Sequence, residues 1–558
     1  MNKNLTIEEF IQIYRACLKN NVSIEELSEY LNIKKKSILK RKSEIKRITG
    51  LDLPFLKKSF NTNQETINKI PDFIKDFNKT HDKTFGIVKE KTYNKRYVIT
   101  SAQNATPIDD NFLSSLLNYC ERNNAELLIV PYRYKNPTSL WTQNNKDDDW
   151  WNIKIQPYLM NNDIELNPYL ILLGSIKIQP TASDPLSGMD GYTGIKSCIL
   201  GHPRIQFKTV ATPNNVLPKI LTTTGSITLK NYTDSKMGYK GSFHHSIGAT
   251  VVEIDGDIFH LRHILSDEDG SFFDLDEFYS QGLVTTGNSI EALVAGDSHA
   301  EFMDESVEKA TYTGEKSIKN ILKPKRMVFH DILDFYNRNH HHRNNDLLTY
   351  GKFKFGEIRD SVEKNLQIAA DFIDRVSSPD ILNIIVRSNH DEAFDRWLRE
   401  ADIKTDPQNA KFYYYMKYHQ LKNLKSNGVG FETINPFEFW CYHPDDEHGL
   451  INMDNTIFLH RNESYMIKNI EIGLHGDVGV NGSRGNAKIL DTIGSKSIIG
   501  HSHSPVIYGG CYQVGVSAKL DLEYNVGPSG WLHTHCLIYA NGKRTLINIV
   551  KGKWTTKY

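Results

Sequence analysis

The stretch SIIGHSHSPVIYGG, residues 497–510, decides how the chain is interpreted, because two histidines one residue apart follow an apolar, β-branched run. In a strand, residues i and i+2 lie on one face, whereas in a tight loop after a strand His501 and His503 can converge on one point. A short H-x-H motif is weak evidence by itself, since most such pairs are ordinary polar loop residues. Its meaning therefore depends on partners elsewhere in the chain.

Four further polar clusters follow apolar runs upstream, and the candidate ligands in them are all oxygen or imidazole donors. They are Asp297 and His299 in GDSH, Asp331 in HDILD, Asn389, His390 and Asp391 in SNHD, and His475 in LHGD. Sites in α/β sheets are built at the carboxyl ends of strands, so we expect these side chains to meet. Donors of this kind suit two divalent ions sharing a bridging carboxylate, with Mn²⁺ the first choice and Mg²⁺, Fe²⁺ or Zn²⁺ as alternatives.

The order D-x-H, D, N-H-D, H, G-H-x-H resembles that of the calcineurin-like metallophosphoesterases over roughly residues 290–515. The resemblance implies a four-layer β-sandwich flanked by helices in residues 286–558. It assigns one ion to Asp297, His299, Asp331 and His503, and the second ion to Asp331, Asn389, His475 and His501. It further implies that His390 protonates the leaving oxygen, that Asp391 holds His390, and that Asp334 is the second acid of the family's GDxxD motif.

Two positions depart from the family's pattern. The family has glycine before the second aspartate and before the asparagine, whereas this chain has His330 and Ser388 there. A side chain beside a ligand can crowd the second ion. We therefore expect the ligands of that ion to deviate from the geometry of the family.

The chemistry of such a site follows from its charges. Two cations neutralise a phosphate and generate a hydroxide for in-line attack, and an adjacent histidine supplies the proton that the departing oxygen needs. The predicted activity is therefore phosphate ester hydrolysis.

The N-terminal 50 residues predict two helices joined by a brief turn, the shape of a helix-turn-helix. Capping boxes begin at Thr6 and Ser23, and the stretch 34–47 holds eight Lys or Arg and one acid. Clustered cations gain DNA affinity by releasing counterions, although a solvated helix face is the alternative. The candidate DNA contacts are Lys34, Lys35, Lys36, Lys40, Arg41 and Lys42.

A polar segment, residues 51–95, predicts a helical linker, and residues 96–285 predict an α/β domain with several short strands. The strand ends of this domain occur in the same order as the five site clusters but mostly lack Asp and His. It is either a degenerate copy of the phosphoesterase fold or an unrelated α/β domain. We interpret DGDIFHLRH, residues 255–263, as a surface strand, and we exclude His533, His535 and the NRNHHHRNND run (337–346) from the ligand set.

Composition restricts the class of protein and its compartment. Acidic and basic residues balance at 67 each, and the six cysteines form no CxxC pair, which is typical of a reducing compartment. No apolar run is long enough to span a bilayer, and the N-terminus lacks the apolar core of a signal peptide. A cytoplasmic protein is expected.

Three functions are compatible with these features: a metal-dependent DNA nuclease, a phosphomonoesterase or protein phosphatase, and a non-catalytic DNA-binding or DNA-transfer protein. The basic helical segment at one end and the metal motifs at the other favour the nuclease, with DNA as partner. The layout is also similar to the early DNA-transfer nucleases of large tailed phages, which would place it in the host cytoplasm. Internal and terminal cleavage, single and double strands, and a homo-oligomer or a partner protein all stay open.

Overall fold

The computed structural model describes residues 23–31, 34–49, 88–89, 95–136, 150–213, 217–335, 361–443, 455–522 and 525–558, with isolated positions between them. The chain is a mixed α/β protein. No helix in these ranges is long and apolar enough to cross a membrane. The first capping box, most of the 51–95 segment and nearly all of the 337–346 run lie outside the described residues.

Among the residues described near the N-terminus are the helices α1 (Ile24–Tyr30) and α2 (Lys35–Thr49), which lie where the sequence predicts helices. Their apolar side chains Leu27, Ile38 and Ile45 are buried. The apolar positions of this basic segment are therefore used for packing, which leaves part of its charge on the outside.

The remaining elements are described in two parts of the chain, called the first unit (residues 88–285) and the second unit (residues 286–558). The strands of the first unit are β1 (Val88–Lys89), β2 (Arg96–Gln103), β3 (Ala125–Tyr132), β4 (Asp163–Asn167), β5 (Leu170–Leu173), β6 (Ser197–Leu200), β7 (Phe207–Val210), β8 (Lys219–Thr223), β9 (Gly248–Asp255), β10 (Ile258–Leu265), β11 (Phe272–Asp274), β12 (Glu277–Ser280) and β13 (Leu283–Thr285). The strands of the second unit are β14 (Ala292–Val294), β15 (Arg326–Phe329), β16 (Leu382–Ile385), β17 (Lys425–Ser426), β18 (Phe431–Glu432), β19 (Thr456–Phe458), β20 (Met466–Ile467), β21 (Ile470–Glu471), β22 (Lys496–Ile499), β23 (Val506–Tyr508), β24 (Cys511–Gln513), β25 (Thr534–Ile538) and β26 (Arg544–Asn548). The helices of the two units are α3 (Asp110–Asn123), α4 (Lys236–His244), α5 (Glu305–Glu308), α6 (Ile318–Leu322), α7 (Val362–Val376), α8 (Asn389–Glu400), α9 (Ala410–Lys422), α10 (Pro436–Tyr442) and α11 (Ala487–Leu490).

An eleven-stranded sheet runs through both units in the order β1-β4-β5-β6-β8-β7-β23-β24-β22-β21-β20. A four-stranded sheet, β10-β9-β2-β3, belongs to the first unit, and a six-stranded sheet, β19-β16-β15-β14-β25-β26, belongs to the second. One apolar cluster unites residues of all three sheets, including Ile99, Ile199, Val294 and Ile498. The two units therefore share a continuous core.

The two units have the same strand order and the same strand directions. In the large sheet, β4-β5-β6-β8-β7 pair as antiparallel, parallel, parallel and antiparallel, and β20-β21-β22-β24-β23 repeat that pattern. In the smaller sheets, β3-β2-β9-β10 and β15-β14-β25-β26 both pair as parallel, antiparallel and antiparallel. The second unit adds β16 and β19 beyond β15.

The units join edge to edge where β7 pairs with β23 in the antiparallel sense, with Phe207 opposite Ile507. In the other layer, the His263 amide of β10 donates to the Thr545 hydroxyl of β26 at 3.1 Å. Because β7 and β23 run in opposite directions, the parallel strands of the two units also point in opposite directions. The carboxyl ends of the parallel strands, where a site can be built, therefore face opposite directions in the two units.

Helix α7 is an element that the sequence pattern predicts well. Its apolar residues recur at helical spacing, and the Ser361 side chain caps it by accepting from the Lys364 amide at 3.3 Å. The apolar face is buried in the core that covers the six-stranded sheet, through Val362, Leu366, Ala369, Ala370, Phe372, Ile373 and Val376. The amphipathic helix predicted here is present.

The interpretation of residues 255–263 as a surface strand is wrong. The strand exists as β10, but His260, Arg262 and His263 are only 2–3% exposed. The Arg262 guanidinium pairs with Asp274 at 2.5 Å and with Glu253 at 3.0 Å. The alternation of polar and apolar residues predicted that one side of β10 faces solvent. Instead, Arg262 is buried in an ion cluster with Asp274 and Glu253, and the second unit packs against β10.

Candidate metal centre

Predicted ligands from four strands meet at one edge of the second unit. Asp297 follows β14, Asp331 follows β15, His475 follows β21, and both His501 and His503 follow β22. All of them except the half-buried His501 are buried. Because these strand ends come from two stacked sheets, the site lies between the layers.

Four of these side chains form a tight cluster. The ligand atoms of Asp297, His299, Asp331 and His503 lie within 4.8 Å of one another. The His503 Nε2 atom is 3.1 Å from Asp297 Oδ2 and 3.0 Å from His299 Nε2. The His299 Nε2 atom is 3.9 Å from Asp331 Oδ2. These are the four residues predicted for the first ion.

The backbone at these positions is held in an uncommon conformation. The φ angles of His299, Asp331, His501 and His503 are 42°, 45°, 76° and 59°, in the left-handed region that residues with a side chain seldom adopt. Such strain persists only where the surrounding structure enforces it, and it is concentrated at functional sites. The sharp turns after the strands are what direct the rings and carboxylates towards one another.

Gly500 of the GHSH motif is required by its close approach to Asp297. A Cβ atom at Gly500 would stand 2.1 Å from Asp297 Oδ1 and 3.2 Å from the Cβ atom of His330. The glycine therefore lets the β22 turn approach the first carboxylate, and any side chain there would displace it.

The residues predicted for the second ion are adjacent but more open. The His475 Nε2 atom lies 3.1 Å from Asp331 Oδ2, and the His475 and His501 rings are 5.3 Å apart. Asn389 is the first residue of α8, and its Oδ1 atom is buried without a hydrogen-bond partner. Asp331 thus stands between the first cluster and these residues, as a bridging carboxylate would.

Buried polar atoms that lack a hydrogen-bond partner are concentrated at this edge. They include both carboxylate oxygens of Asp297 and Asp331, both ring nitrogens of His330 and His475, Nδ1 of His299 and His503, Oδ2 of Asp334 and Oδ1 of Asn389. Leaving a buried polar group unpaired costs about 1–3 kcal/mol, and more when the group is charged. A concentration of buried oxygen and nitrogen atoms whose bonding capacity is not met within the protein fits a site that holds cations.

The electrostatics leave the first cluster suited to cation binding. Burial lowers the pKa of His299 to about 4 and that of His503 to about 3, so both rings are neutral and have a lone pair to give. Burial disfavours the charged form of Asp331, but His475 and His390 outweigh it and hold its pKa well below the usual range. Burial and the neighbouring Asp331 raise the pKa of Asp297.

His390 is held by Asp334. The His390 Nδ1 atom is 2.6 Å from the backbone oxygen of Asp334 and 3.5 Å from its Oδ1 atom. Burial opposes the charged form of His390, but Asp331 and Asp334 outweigh it and raise the pKa to about 9. The ring is therefore protonated at neutral pH. His299, Asp334 and His390 also bring their ligand atoms within 4.8 Å of one another.

Asp391, predicted to hold His390, is engaged in capping helix α8. Its Oδ2 atom accepts from the Ser388 amide at 2.8 Å, and the Ser388 side chain accepts from the Asp391 amide at 3.4 Å. This is a capping box, which satisfies amides at the start of a helix. Asp391 thus fixes the helix end that carries Asn389 and His390, while Asp334 makes the direct contact with His390.

The two departures from the family's pattern have different outcomes. Ser388 is accommodated because it is the N-cap of α8. His330 is fully buried, with its ring 5.6 Å from that of His475. His330 therefore occupies space beside the second set of ligands, where crowding was expected.

His535, which sequence reasoning excluded from the ligand set, positions the backbone before Asp297. Its Nδ1 atom accepts from the Gly296 amide at 2.8 Å, and its Nε2 atom is 2.8 Å from the Thr311 hydroxyl. The Ser517 hydroxyl donates to the Gly296 carbonyl at 2.9 Å. The H-x-H spacing in WLHTHC was the feature of the sequence that could have pointed to a role for His535 at this site.

The candidate DNA contacts in the N-terminal segment differ in exposure. Lys34, Lys35, Lys36 and Lys40 are exposed, Arg41 is half-buried, and Lys42 is buried at 7%. The Lys35 ammonium pairs with Glu25 of α1 at 2.7 Å. Lys42 therefore does not belong to the exposed basic surface of α2, because helical rotation turns it inward.

The fold and the centre define a mixed α/β protein with a buried cluster of aspartates and histidines that could hold a metal. No family model matches the chain. Protein A1 of Escherichia phage T5 is 36% identical over 471 residues, which cover 82% of this chain and 83% of the phage protein. The chain belongs to the family of this phage protein.

Proposed function

We propose that the chain is a divalent-metal-dependent phosphodiesterase that cleaves DNA, built on a metallophosphoesterase-type second unit. The observation that carries the proposal is the buried cluster of Asp297, His299, Asp331 and His503, whose ligand atoms lie within 4.8 Å of one another. The second ion is assigned to Asp331, Asn389, His475 and His501.

The donor set fits such ions. Carboxylate and amide oxygens with neutral imidazoles and no thiolate are the ligands of Mn²⁺ and related ions. Bound there, the cations would neutralise phosphate charge and lower the pKa of a coordinated water. The chain itself supplies the rigid turns that fix the donors, and His535 and Ser517 hold the backbone before Asp297.

His390 is the residue proposed to donate a proton to the leaving oxygen. Its Nδ1 atom is occupied by the Asp334 carbonyl, which leaves Nε2 for the substrate. The ring carries the proton because Asp331 and Asp334 raise its pKa to about 9. General acid catalysis of this kind contributes about 10²–10⁴-fold to a rate.

DNA is the proposed substrate because of the basic N-terminal helix pair, which we interpret as a helix-turn-helix. The exposed lysines Lys36 and Lys40 lie in the first part of α2, and the exposed Lys34 directly precedes this helix. Phosphate contacts of this kind are independent of sequence and weaken with salt. A phosphatase of small molecules or proteins has no evident use for such a helix.

The proposal is tested by incubating the full chain with Mn²⁺ and either supercoiled plasmid or p-nitrophenyl phosphate. We expect nicking or linearisation of the plasmid that EDTA abolishes. Activity on the monoester alone would make the chain a phosphatase, and no activity on either substrate would favour a non-catalytic DNA-binding protein. The variant Asp297→Asn should lose the cleavage, because it keeps the size of the side chain while removing a ligand charge.

A further inference from the structure

We propose that the first unit is a copy of the second which has lost its metal ligands and presents a nucleic-acid docking surface at its own strand ends. The choice of DNA as the occupant rests on the proposed function. The copy itself rests on strand register, side-chain identity and charge in residues 96–285.

The strand registers allow individual residues of the first unit to be matched with individual residues of the second. When Gly201-His202 is aligned with Gly500-His501, the β6 residue Cys198 falls on Ser497 of β22. Their partners in the next strands are Leu221 and Cys511. Four residues further on, both chains reach a glycine, Gly225 in the first unit and Gly515 in the second. An alignment made on one strand thus predicts a glycine just beyond the end of the next.

The same alignment places a two-fold axis at the junction of the units. It makes Thr222 of β8 equivalent to Tyr512 of β24, and these residues pair with Phe207 and Ile507. Phe207 and Ile507 are also each other's partners between β7 and β23. Equivalent residues that pair with each other in an antiparallel ladder lie on a two-fold axis. The chain therefore has the arrangement of a dimer fused into one polypeptide.

Most ligands have been replaced at the equivalent positions of the first unit. The Ser517 amide donates to the Asp297 carbonyl, and the equivalent Ile227 amide donates to the Ser101 carbonyl, so Ser101 replaces Asp297. Counting on from these anchors along the sequence, Gln103 stands at the position of His299, Arg204 at that of His503, and His202 at that of His501.

Uncharged side chains near these positions form a hydrogen-bond network. The Asn231 side chain accepts from Asn136 at 2.7 Å and donates to Thr106 at 2.9 Å. The Ser226 and Thr228 hydroxyls are 2.8 Å apart. Within the described residues of this unit, no group of three His, Cys, Asp or Glu could hold an ion. The side chains of this network are buried, so we place the ligand on the outside of this edge.

The outside of this edge is basic. Its segments 133–136, 175–178 and 230–244 contain six Lys or Arg and one acid, Asp234. The cations are Arg133, Lys135, Lys177, Lys230, Lys236 and Lys240. Burial lowers the pKa of Lys177 to about 8; the nearby Arg133 adds to that effect and Asp163 opposes it. Lys177 and Arg133 thus lie near each other on this edge.

Exposed aromatic side chains lie among the cations on α4. Tyr239 is 67% exposed and Phe243 is 81% exposed, and both are on the helix that carries Lys236 and Lys240. Lysines that contact phosphates and aromatic rings on which bases stack are the combination that nucleic acids favour. The docking surface, defined as segments 133–136, 175–178 and 230–244, therefore fits DNA.

The test replaces three exposed lysines of the docking surface, in Lys230→Gln, Lys236→Gln and Lys240→Gln combined. A matched control combines Lys309→Gln, Lys316→Gln and Lys364→Gln, which are equally exposed and lie in the second unit. Binding of labelled duplex and single-stranded DNA by the full chain is followed by fluorescence anisotropy in EDTA over a range of salt. Circular dichroism and thermal melting check that each triple variant is folded.

We expect the docking-surface variant to reduce the slope of log affinity against log salt by about two to three units on duplex DNA, about 0.9 for each lost contact. The control should match the wild type. An unchanged slope, an equal loss in the control, or a changed oligomeric state with unchanged DNA binding would overturn the inference. DNA binding that depends on these lysines in a chain that cleaves nothing with Mn²⁺ would instead refute the proposed function alone.

Discussion

Replacing His390 with glutamine should separate proton donation from metal binding. Glutamine keeps a polar side chain beside Asp334 but cannot transfer a proton, and Asn389 and the rest of the ligand set stay intact. Since general acids contribute about 10²–10⁴-fold, DNA cleavage should fall by that factor, which is about 3–5 kcal/mol on the barrier. With no metal bound, Asp331 and Asp334 raise the pKa of His390 to about 9, and the loss of cleavage is measured at pH 7.

The assay compares DNA with bis-p-nitrophenyl phosphate, whose leaving group departs without needing a proton. His390→Gln should therefore lose far more activity on DNA than on the activated ester, and the thermal shift produced by Mn²⁺ should be retained. His460→Gln, at an exposed histidine outside the centre, is the matched control. Equal losses on both substrates, or full activity on DNA, would refute the role given to His390.

Three further predictions concern metal binding, packing and pH. Mn²⁺ should stabilise the wild type by about 2.7 kcal/mol per site at a hundredfold excess over Kd, and Asp297→Asn should lose that shift in melting experiments. Gly500→Ala should weaken Mn²⁺ affinity, because its Cβ would stand 2.1 Å from Asp297 Oδ1, and unchanged affinity in calorimetry would contradict this. Burial opposes the charged form of Glu253, but Arg262 outweighs it and holds the pKa at about 2 instead of 4.5. A depressed carboxyl pKa stabilises the fold fully above pH 4.5, and this stabilisation is lost as the pH falls towards 2. The free energy of unfolding should therefore fall by about 3 kcal/mol over that window. Glu253→Gln should remove this loss from acid unfolding curves, whereas the exposed Glu268→Gln should not.

The ligand cluster could be predicted from sequence because each ligand directly follows an apolar run. Strand ends that meet in an α/β sheet bring together residues far apart in the chain, so Asp297, Asp331 and His503 could be grouped before their distances were known. The identity of the donors is the basis on which we predict a divalent ion. The contact between His390 and Asp334 could not be predicted, because Asp391 is nearer in sequence but is engaged at the start of α8.

The relation between the two units was open in the sequence because the replaced ligands remove the motif that would reveal it. The GH pair at Gly201 and the glycine at Gly225 persist, but such short matches do not establish a fold. Strand pairing supplied the missing information. Burial was similarly hidden: β10 has polar alternation, but the first unit's ion cluster and the adjoining β26 cover it. Polar spacing tells which residues share a face, and it does not tell what lies against that face.

The central claim is that the buried aspartates and histidines form a metal centre that hydrolyses DNA. The most direct measurement is Mn²⁺ titration of the metal-depleted full chain by calorimetry, run in parallel with plasmid cleavage, for the wild type and for Asp297→Asn combined with His503→Gln. We predict two bound ions per chain and Mn²⁺-dependent cleavage in the wild type, with both reduced together in the variant. Cleavage that persists in the variant or in EDTA, or a wild type that binds no Mn²⁺, would contradict the account.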